Sequence, residues 1–351
     1  MKLLILGDLA SVHMKRWTDC LDSDYEVFAF TFAESNITSI LDSNVFFYSS
    51  IFHKKSWCIT AIKQLVTFFN RVEPDVVHVH YASSYGLLAS FLKTNRKVLS
   101  AWGSDVNYCE NSVLRRLLMR YTLASYPVVN CASQALANRA AAISTYPRYE
   151  IFQYGIDTCI PIKPLHENAD NPTFIINRGF LDIYRVDYVI QEFDQYVSNG
   201  GKGTLLVFGY GSRKDEDRVV NSINTCRNKD AIIFKGKVEH SALFEFMRNA
   251  HYYISIPTTD GAPLALYEAM HIGLYPIVSD IESNRETFTK GFADFLYTDT
   301  KGSLASILHR LVEAGVDSSL IDTNRALIEE KYNYHVNTCR MTRIYQGLIE
   351  Q

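Results

Sequence analysis

Two carboxylates eight positions apart carry the strongest chemical signal in this chain of 351 residues. The segment DGAPLALYE runs from Asp260 to Glu268 and follows an apolar, strand-like run that ends at Pro257. Gly261 to Pro263 would place the N-terminus of a helix, whose free N–H groups and positive dipole end suit a phosphate. Glu268 would lie about two turns into that helix. This layout predicts a clamp for a long anionic ligand, with Asp260 on sugar hydroxyls and Glu268 on a more distant polyol such as a ribose.

The same spacing has a purely structural interpretation. Asp260 would then cap the helix, and Glu268 would be a solvated helix residue. The rest of the helix is apolar and leads through Gly273 and Pro276 into another strand pattern. A glutamate in such a helix needs a partner, which either a ligand hydroxyl or a nearby basic residue would provide.

Two arginines follow the predicted strand TFIIN at 173–177. Arg178 stands at the strand end, and Arg185 opens the next helix. Guanidinium groups match phosphate oxygens, so these arginines and the helix N-terminus at Gly261 predict a diphosphate site. The alternative is that both are surface charges, since arginine is usually exposed.

Apolar runs alternate with longer amphipathic ones, which predicts parallel strands joined by helices in two open sheets. The predicted strands are 2–6, 26–32, 76–80, 97–101, 127–130 and 150–154 in the first half, and 173–177, 204–208, 231–235, 252–256 and 275–278 in the second. Beyond about residue 302 the pattern is purely helical. The predicted fold is therefore α/β, with two Rossmann-like domains facing a cleft at residues 1–164 and 165–330, and a helix at 331–351 that returns to the first domain. The proline-containing segment 159–172 is the predicted linker.

Composition excludes several classes of protein. A net charge of −3 offers no general attraction to nucleic acid. No apolar stretch reaches the roughly 18 residues of a membrane-spanning helix, and the N-terminus reads as a strand rather than a signal peptide. Seven scattered cysteines fit a reducing cytoplasm, and no Cys/His pattern indicates a metal site.

These motifs together resemble family-4 retaining glycosyltransferases of the GT-B architecture. The carboxylate pair is Asp260 and Glu268, the basic pair is Arg178 and Arg185, and an NGVD-like turn is present as Gly155-Ile156-Asp157. The segments 7–17, 74–82, 102–106 and 275–280 resemble the branch that builds bacterial surface polysaccharides such as O-antigen, capsule and lipopolysaccharide. The resemblance spans essentially the whole chain.

The resemblance implies a metal-independent hexosyltransferase without a cofactor, whose donor is a nucleotide sugar, UDP favoured and GDP possible. It implies a saccharide or lipid-linked acceptor bound by the first domain, in the cytoplasm or at the cytoplasmic face of the membrane. Positive groups would stabilise the leaving diphosphate, and that phosphate would take the acceptor's proton. The implied catalytic residues are Arg178, Arg185 and Asp260, and the substrate-binding residues are Gly7, His13, Trp102, Asp105, Gly236, Gly261, Ala262, Pro263, Leu264 and Glu268.

The chain departs from the family pattern at four places. Asp260 stands where glutamate is usual, and Arg185 where lysine is usual. Gly7-Asp8 replaces a pair of glycines in the first loop. Trp102 occupies the position of a histidine that contacts the donor sugar. An indole would either stack on a sugar face or fill a gap in the core.

Two segments, 53–72 and 111–123, combine basic residues with apolar ones at helical spacing. Such helices either lie on anionic membranes or pack an ordinary apolar face into the core, and the second interpretation is favoured here. A lipid-linked acceptor would favour the first.

Three alternative functions follow from the same residues. The turn GYGS at 209–212 is typical of dinucleotide binding, but it lacks a third glycine and the acidic residue of a dehydrogenase. A sugar-nucleotide epimerase of the same architecture would need acid and base groups facing the sugar. The third is a non-catalytic subunit that binds a nucleotide sugar and supports another transferase. It is suggested by the missing histidine at Trp102 and by the shorter acidic side chain at Asp260.

Overall fold

The computed structural model describes residues 1–11, 14, 17–18, 21, 24–32, 44–47, 57–107, 109, 112–163, 170–261, 263–289, 291–296 and 299–350. They form two compact units, Met1–Tyr154 with Tyr334–Gln351, and Gly155–Asn333. The division after Tyr154 lies earlier in the chain than the predicted boundary at residue 165. The reason is local, because Gly155-Ile156 already joins the second unit: the Ile156 N–H donates to the Tyr332 carbonyl at 2.7 Å.

The first unit is built on a parallel sheet. Within the described residues its strands are β1 Lys2–Leu6, β2 Glu26–Thr31, β3 Val45–Phe47, β4 Val76–His80, β5 Lys97–Ala101, β6 Val128–Cys131 and β7 Arg148–Ile151, in the order β3-β2-β1-β4-β5-β6-β7. Its helices are α1 Trp57–Val72, α2 Tyr85–Ala89, α3 Ser104–Asn107, α4 Val113–Ala124 and α5 Gln134–Ile143. The central strands β4 and β5 are buried along their whole length, as strands covered by helices on both faces must be.

The C-terminal helix α13, Tyr334–Ile349, belongs to this first unit. The Tyr345 hydroxyl lies 2.5 Å from Nδ1 of His78, and Nε2 of that histidine lies 2.8 Å from the Ser100 hydroxyl. The Tyr25 hydroxyl donates to Thr342 at 3.1 Å. The prediction that the terminal helix returns to the first domain is therefore confirmed.

The second unit contains another parallel sheet. Its strands, among the described residues, are β8 Thr173–Asn177, β9 Thr204–Phe208, β10 Ile232–Gly236, β11 Tyr252–Ser255, β12 Tyr275–Ser279 and β13 Asp294–Leu296, in the order β10-β9-β8-β11-β12-β13. Its helices are α6 Val186–Ser198, α7 Arg213–Asn224, α8 His240–Arg248, α9 Leu264–Ile272, α10 Glu282–Thr287, α11 Ser303–Ala314 and α12 Ser318–Lys331.

Each sheet reverses its strand order once, between β1 and β4 in the first unit and between β8 and β11 in the second. In open α/β sheets, ligands bind beyond the carboxyl ends of strands at such a reversal. The loops that follow these four strands are therefore where functional residues are expected. No helix in the described part of the chain is long and apolar enough to cross a bilayer.

Candidate functional site

The order reversal of the second sheet carries a buried ion pair. Arg178 directly follows β8, and Asp260 lies in the loop that follows β11. Nη2 of Arg178 contacts Oδ2 of Asp260, and the two side chains are only 7% and 11% exposed. The interpretation of Arg178 as a surface charge is therefore wrong. The pair joins the carboxyl ends of adjacent strands at the place where such sheets bind ligands.

Aromatic side chains support Arg178 from within the unit. Its guanidinium lies 4.4 Å from the centre of the Tyr184 ring. Burial alone would lower the pKa of Arg178, but the neighbouring groups, first among them the Asp260 carboxylate, together outweigh this effect and the pKa is raised. The guanidinium therefore stays charged. On the neighbouring strand β11, the buried Tyr253 hydroxyl donates to the Asn177 carbonyl at 3.0 Å, and burial raises the pKa of this phenol.

A glycine turn lets the backbone at Arg178 approach the neighbouring strand. Gly209 has φ +146°, and a Cβ there would lie 1.9 Å from the Arg178 carbonyl oxygen. Its N–H donates to the carbonyl of Gly236 at 3.0 Å, and Gly236 itself has φ +62°. The GYGS turn therefore has a structural role beside Arg178.

Arg185 holds an uncommon backbone conformation. Its φ of 57° is left-handed, and the residue stands at the N-cap of α6. Nη1 lies 2.8 Å from Oδ1 of Asp299, and the guanidinium lies 4.5 Å from the Tyr188 ring centre. Left-handed conformations cost roughly 1–2 kcal/mol for residues other than glycine, so the surrounding structure must impose this one.

Arg218 on α7 provides part of that constraint, and sequence reasoning missed it. Its guanidinium contacts the Asp187 carboxylate, lies 3.3 Å from Oδ1 of Asp182 and donates to the Phe180 carbonyl. These partners stand on both sides of Arg185 in the chain. Arg218 therefore fixes the loop that presents Arg185. Its position in a charged, solvated helix pattern carried no signal of this role.

Glu268 is buried within α9 and has a partner. Nε2 of His240 lies 3.2 Å from Oε2 of Glu268. The Glu268 side chain is only 7% exposed, so its interpretation as a solvated helix residue is wrong, and the need for a partner is confirmed. His240 begins α8, with three residues between it and the end of β10, and its side chain is 53% exposed. Sequence reasoning missed His240; a histidine just after a predicted strand end was the available signal.

The helix α9 begins at the expected place. Pro263 is the N-cap, and its carbonyl accepts from the N–H groups of Leu266 and Tyr267 at 2.9 and 3.1 Å. Because Pro263 is the cap and Asp260 pairs with Arg178, the interpretation of Asp260 as the cap is wrong. Pro263 is buried and Leu264 half-buried, whereas Gly261 is exposed. Ala262 lies outside the described residues.

In the first unit, Asp105 organises loops rather than presenting its carboxylate to solvent. It is fully buried. It accepts from the N–H groups of Ala82, Trp102, Gly103 and Val106 at 2.7, 3.1, 2.8 and 3.0 Å. Burial raises the pKa of Asp105, and the four backbone hydrogen bonds oppose the rise. The carboxylate ties the loop after β4 to the loop after β5.

Trp102 is half-buried in an aromatic cluster of the first unit. Its ring centre lies 5.9 Å from that of His80 and 5.5 Å from that of Tyr154. Gly7 directly follows β1, and a Cβ there would lie 3.4 Å from the Cβ of His80 and 2.9 Å from the sulfur of Met14. Trp102 therefore contacts the core and also keeps an exposed part. His13 lies outside the described residues.

Comparison with known proteins defines the class. Residues 2–134 match the protein family described as "Glycosyl transferase 4-like", and residues 162–333 match "Glycosyl transferases group 1". Both families consist of enzymes that transfer sugars, and the two matches lie in the two structural units. The chain belongs to the family-4-type glycosyltransferases of the GT-B fold.

Individual relatives are distant. N-acetyl-alpha-D-glucosaminyl L-malate synthase of Bacillus anthracis is 19% identical over 87% of this chain and 85% of its own. HepE of Anabaena, solved in complex with UDP and glucose, is similar in structure at a TM-score of 0.75 and 14% identity, with 98% of each chain covered. The lipopolysaccharide outer core galactosyltransferase WaaB matches at 0.73 and 15%, over 98% of this chain and 100% of that one. At these identities the structural matches establish the fold.

Proposed function

We propose that this protein is a retaining, metal-independent hexosyltransferase that moves a sugar from a nucleotide-sugar donor to a saccharide or lipid-linked saccharide in cell-surface polysaccharide synthesis. The Arg178–Asp260 pair at the order reversal of the second sheet is the observation that carries the proposal. HepE, which shares the fold, binds UDP and glucose, and this favours a UDP-sugar over a GDP-sugar. WaaB acts on lipopolysaccharide, which supports a surface-polysaccharide acceptor.

The second unit would hold the donor. Arg178, Arg185 and the helix N-terminus after Gly261 would contact the diphosphate. Asp260, held by Arg178, would orient a sugar hydroxyl, and Glu268, held by His240, would accept hydrogen bonds from the ribose. Gly236, Pro263 and Leu264 would line the same site, and Ala262, which lies outside the described residues, stays a predicted substrate contact. In the first unit, Gly7, His13 and Trp102 would contact substrate, while Asp105 positions the Trp102 loop.

The reaction needs one bond to form and one to break. The acceptor hydroxyl oxygen bonds to the anomeric carbon, and the bond from that carbon to the diphosphate oxygen breaks. The acceptor's proton passes to an oxygen of the departing diphosphate. Positive charge fixed near that diphosphate lowers the barrier because charge develops there in the transition state. No metal ion is required in this scheme.

The polysaccharide function implies a location. The donor nucleotide sugar and a lipid-linked acceptor would meet at the cytoplasmic face of the membrane. We therefore propose a cytoplasmic protein with peripheral contact to the inner leaflet.

A screen of nucleotide sugars by thermal shift, followed by a transfer assay, tests the proposal. A true donor raises the melting temperature by mass action. The transfer product, analysed by NMR, should keep the anomeric configuration of the donor. An inverted product would exclude the retaining mechanism.

The other two candidate functions give different outcomes. Epimer formation with donor alone would identify an epimerase. Donor binding without turnover on any lipid or oligosaccharide acceptor, but with turnover after a partner protein is added, would identify a non-catalytic subunit. Either result would overturn the proposed transferase activity.

A further inference from the structure

Helix α4 carries its apolar side chains on its outside. Val113, Leu114, Leu117, Leu118 and Tyr121 are 80%, 67%, 58%, 42% and 49% exposed. The residues that the helix buries are Met119, Thr122 and Leu123. Large apolar side chains scattered singly on a surface are normal, but five on one three-turn helix are not.

The five exposed side chains share one face. At about 100° per residue, they span an arc of roughly 140° around the helix axis. The buried residues lie on the opposite side. The apolar face of α4 therefore points directly away from the core of its own unit.

Basic residues border this apolar face. Arg120 and Arg116 lie about 20° and 60° beyond one edge of the arc, Arg115 lies about 60° beyond the other edge, past the buried Thr122, and all three side chains are exposed. The helix sequence VLRRLLMRYTLA contains no acidic residue. An apolar centre with a basic border is the pattern of helices that lie in the interface of an anionic bilayer.

A neighbouring loop extends the same surface. The Phe91 ring, 44% exposed, lies 5.9 Å from the ring of Tyr121. Lys93, two positions further along the chain, is also exposed and adds positive charge. We call the outward residues of α4 with Phe91 and Lys93 the α4 surface.

Helix α1 of the same unit has the usual arrangement of an amphipathic helix, with its apolar face toward the core. Its apolar residues Ala61, Leu65, Phe68 and Val72 are buried in the core. The favoured prediction, an apolar face packed into the domain core, is therefore confirmed for the described part of 53–72. It is wrong for 111–123, because the core contacts of α4 are made by only three residues and its main apolar face is left outside.

We propose that the α4 surface docks on the surface of an anionic lipid bilayer, with its apolar side chains among the acyl chains and its arginines at the phosphate groups. The docking rests on the proposed function in one respect only: its purpose would be to bring the enzyme to a lipid-linked acceptor. A symmetric contact with a second copy fits less well, because it would place the same arginine cluster against itself.

Vesicle sedimentation tests the docking. The parent protein is expected to sediment with phosphatidylcholine vesicles containing 30% phosphatidylglycerol, and much less with pure phosphatidylcholine. The variant Leu114→Ser/Leu117→Ser/Leu118→Ser should need at least about tenfold more lipid for half-binding, and Arg115→Glu/Arg116→Glu/Arg120→Glu a similar factor. Matched controls in the second unit are Ile162→Ser and Lys214→Glu/Arg227→Glu/Lys229→Glu, which change exposed side chains.

The thermal shift produced by UDP separates this proposal from the proposed function. Every variant should retain that shift, which also shows that it is folded. Unchanged sedimentation of both α4 variants would overturn the docking. A parent dimer in analytical ultracentrifugation that the leucine variant dissociates, without lipid binding by the parent, would also overturn it and assign the surface to a second copy.

Discussion

Arg178 and Asp260 form a buried ion pair that connects the strand ends on either side of the order reversal in the second sheet. The sequence alone predicts Arg178 as a phosphate ligand and Asp260 as a ligand of sugar hydroxyls. Their pairing gives each residue a second role toward the other. The arginine positions the carboxylate, and the carboxylate compensates the charge of the buried guanidinium. A ligand bound at this place would meet the paired charges of Arg178 and Asp260 rather than an isolated cation.

Breaking this pair should cost stability. Arg178→Ala and Asp260→Ala should each lower the free energy of unfolding by about 3–5 kcal/mol, because each leaves an uncompensated buried charge. The double variant should cost clearly less than the sum of the two. Urea denaturation measures all three. Arg310→Ala is the matched control, since Arg310 pairs with Asp294 at the surface of the same unit and should cost about 1 kcal/mol or less. Equal losses for Arg178→Ala and Arg310→Ala would contradict the account.

Because the backbone at Arg185 is left-handed, two variants at this position should differ in stability but not in donor binding. Arg185→Gly should be about 1 kcal/mol more stable than Arg185→Ala, because glycine adopts φ near +57° without steric cost. Both variants remove the guanidinium and should lose affinity for the donor to the same extent. Denaturation and calorimetry on the two proteins measure the two effects. If the glycine variant were no more stable than the alanine variant, the backbone would not be strained.

His240 should act through Glu268. His240→Ala should raise the KM for the donor by about tenfold with little change in kcat, since the loss of one charge-assisted hydrogen bond weakens ground-state and transition-state binding alike. Glu239→Gln, at the neighbouring exposed position, is the control and should leave KM unchanged. Steady-state kinetics at varied donor concentration measure both kcat and KM. A fall in kcat at constant KM would assign His240 to the chemical step instead.

Acid should destabilise the first unit through His78. Burial first, and the neighbouring His80 second, lower the pKa of His78 well below its ordinary value of 6.5. Below pH 6.5 the unfolded chain therefore binds a proton that the folded chain does not, and the free energy of unfolding falls as pH decreases, by at most about 1.4 kcal/mol per pH unit for this group. Denaturation between pH 7.5 and about 5 measures the slope.

A pair of histidine variants isolates that effect. His78→Asn should flatten the slope below pH 6.5, whereas His335→Asn, at an exposed position on α13, should leave it unchanged. If both variants retained the parent's slope, the acid sensitivity would come from other groups.

The proposed chemistry also predicts insensitivity to chelators. The transfer rate after dialysis against EDTA should equal that of untreated enzyme, because protein groups supply the positive charge near the diphosphate. A loss of rate that added Mg²⁺ or Mn²⁺ restores would show that a metal shares this role, and the electrostatic assignment to the arginines would have to change.

Most strands were predictable from sequence because buried parallel strands are continuous apolar runs. The ranges 2–6, 76–80, 97–101, 173–177 and 204–208 agree with the structure residue for residue. The strands β3 and β13 were missed. Each is three residues long and lies at the edge of its sheet, so neither has the length nor the burial that makes the pattern visible.

The sequence predicts which site residues stand at strand ends. It does not predict which of them contact each other across the sheet. The positions of Arg178, Asp260 and Glu268 followed from the strand and helix pattern. Their partners did not, because the His240–Glu268 and Arg178–Asp260 contacts join residues 28 and 82 positions apart. The outward face of α4 was misread for a related reason. An amphipathic pattern predicts which residues share a face, but only the packing of neighbouring elements decides whether that face is covered.

Calorimetric titration of UDP is the most direct test that the second unit holds a nucleotide-sugar donor. The parent should bind UDP, and both Arg185→Ala and Glu268→Gln should weaken that binding by at least about tenfold, since each loses a charge-assisted contact. Arg213→Ala, an exposed arginine on α7, should bind as the parent does. Equal UDP affinity in the parent and both site variants would contradict the account.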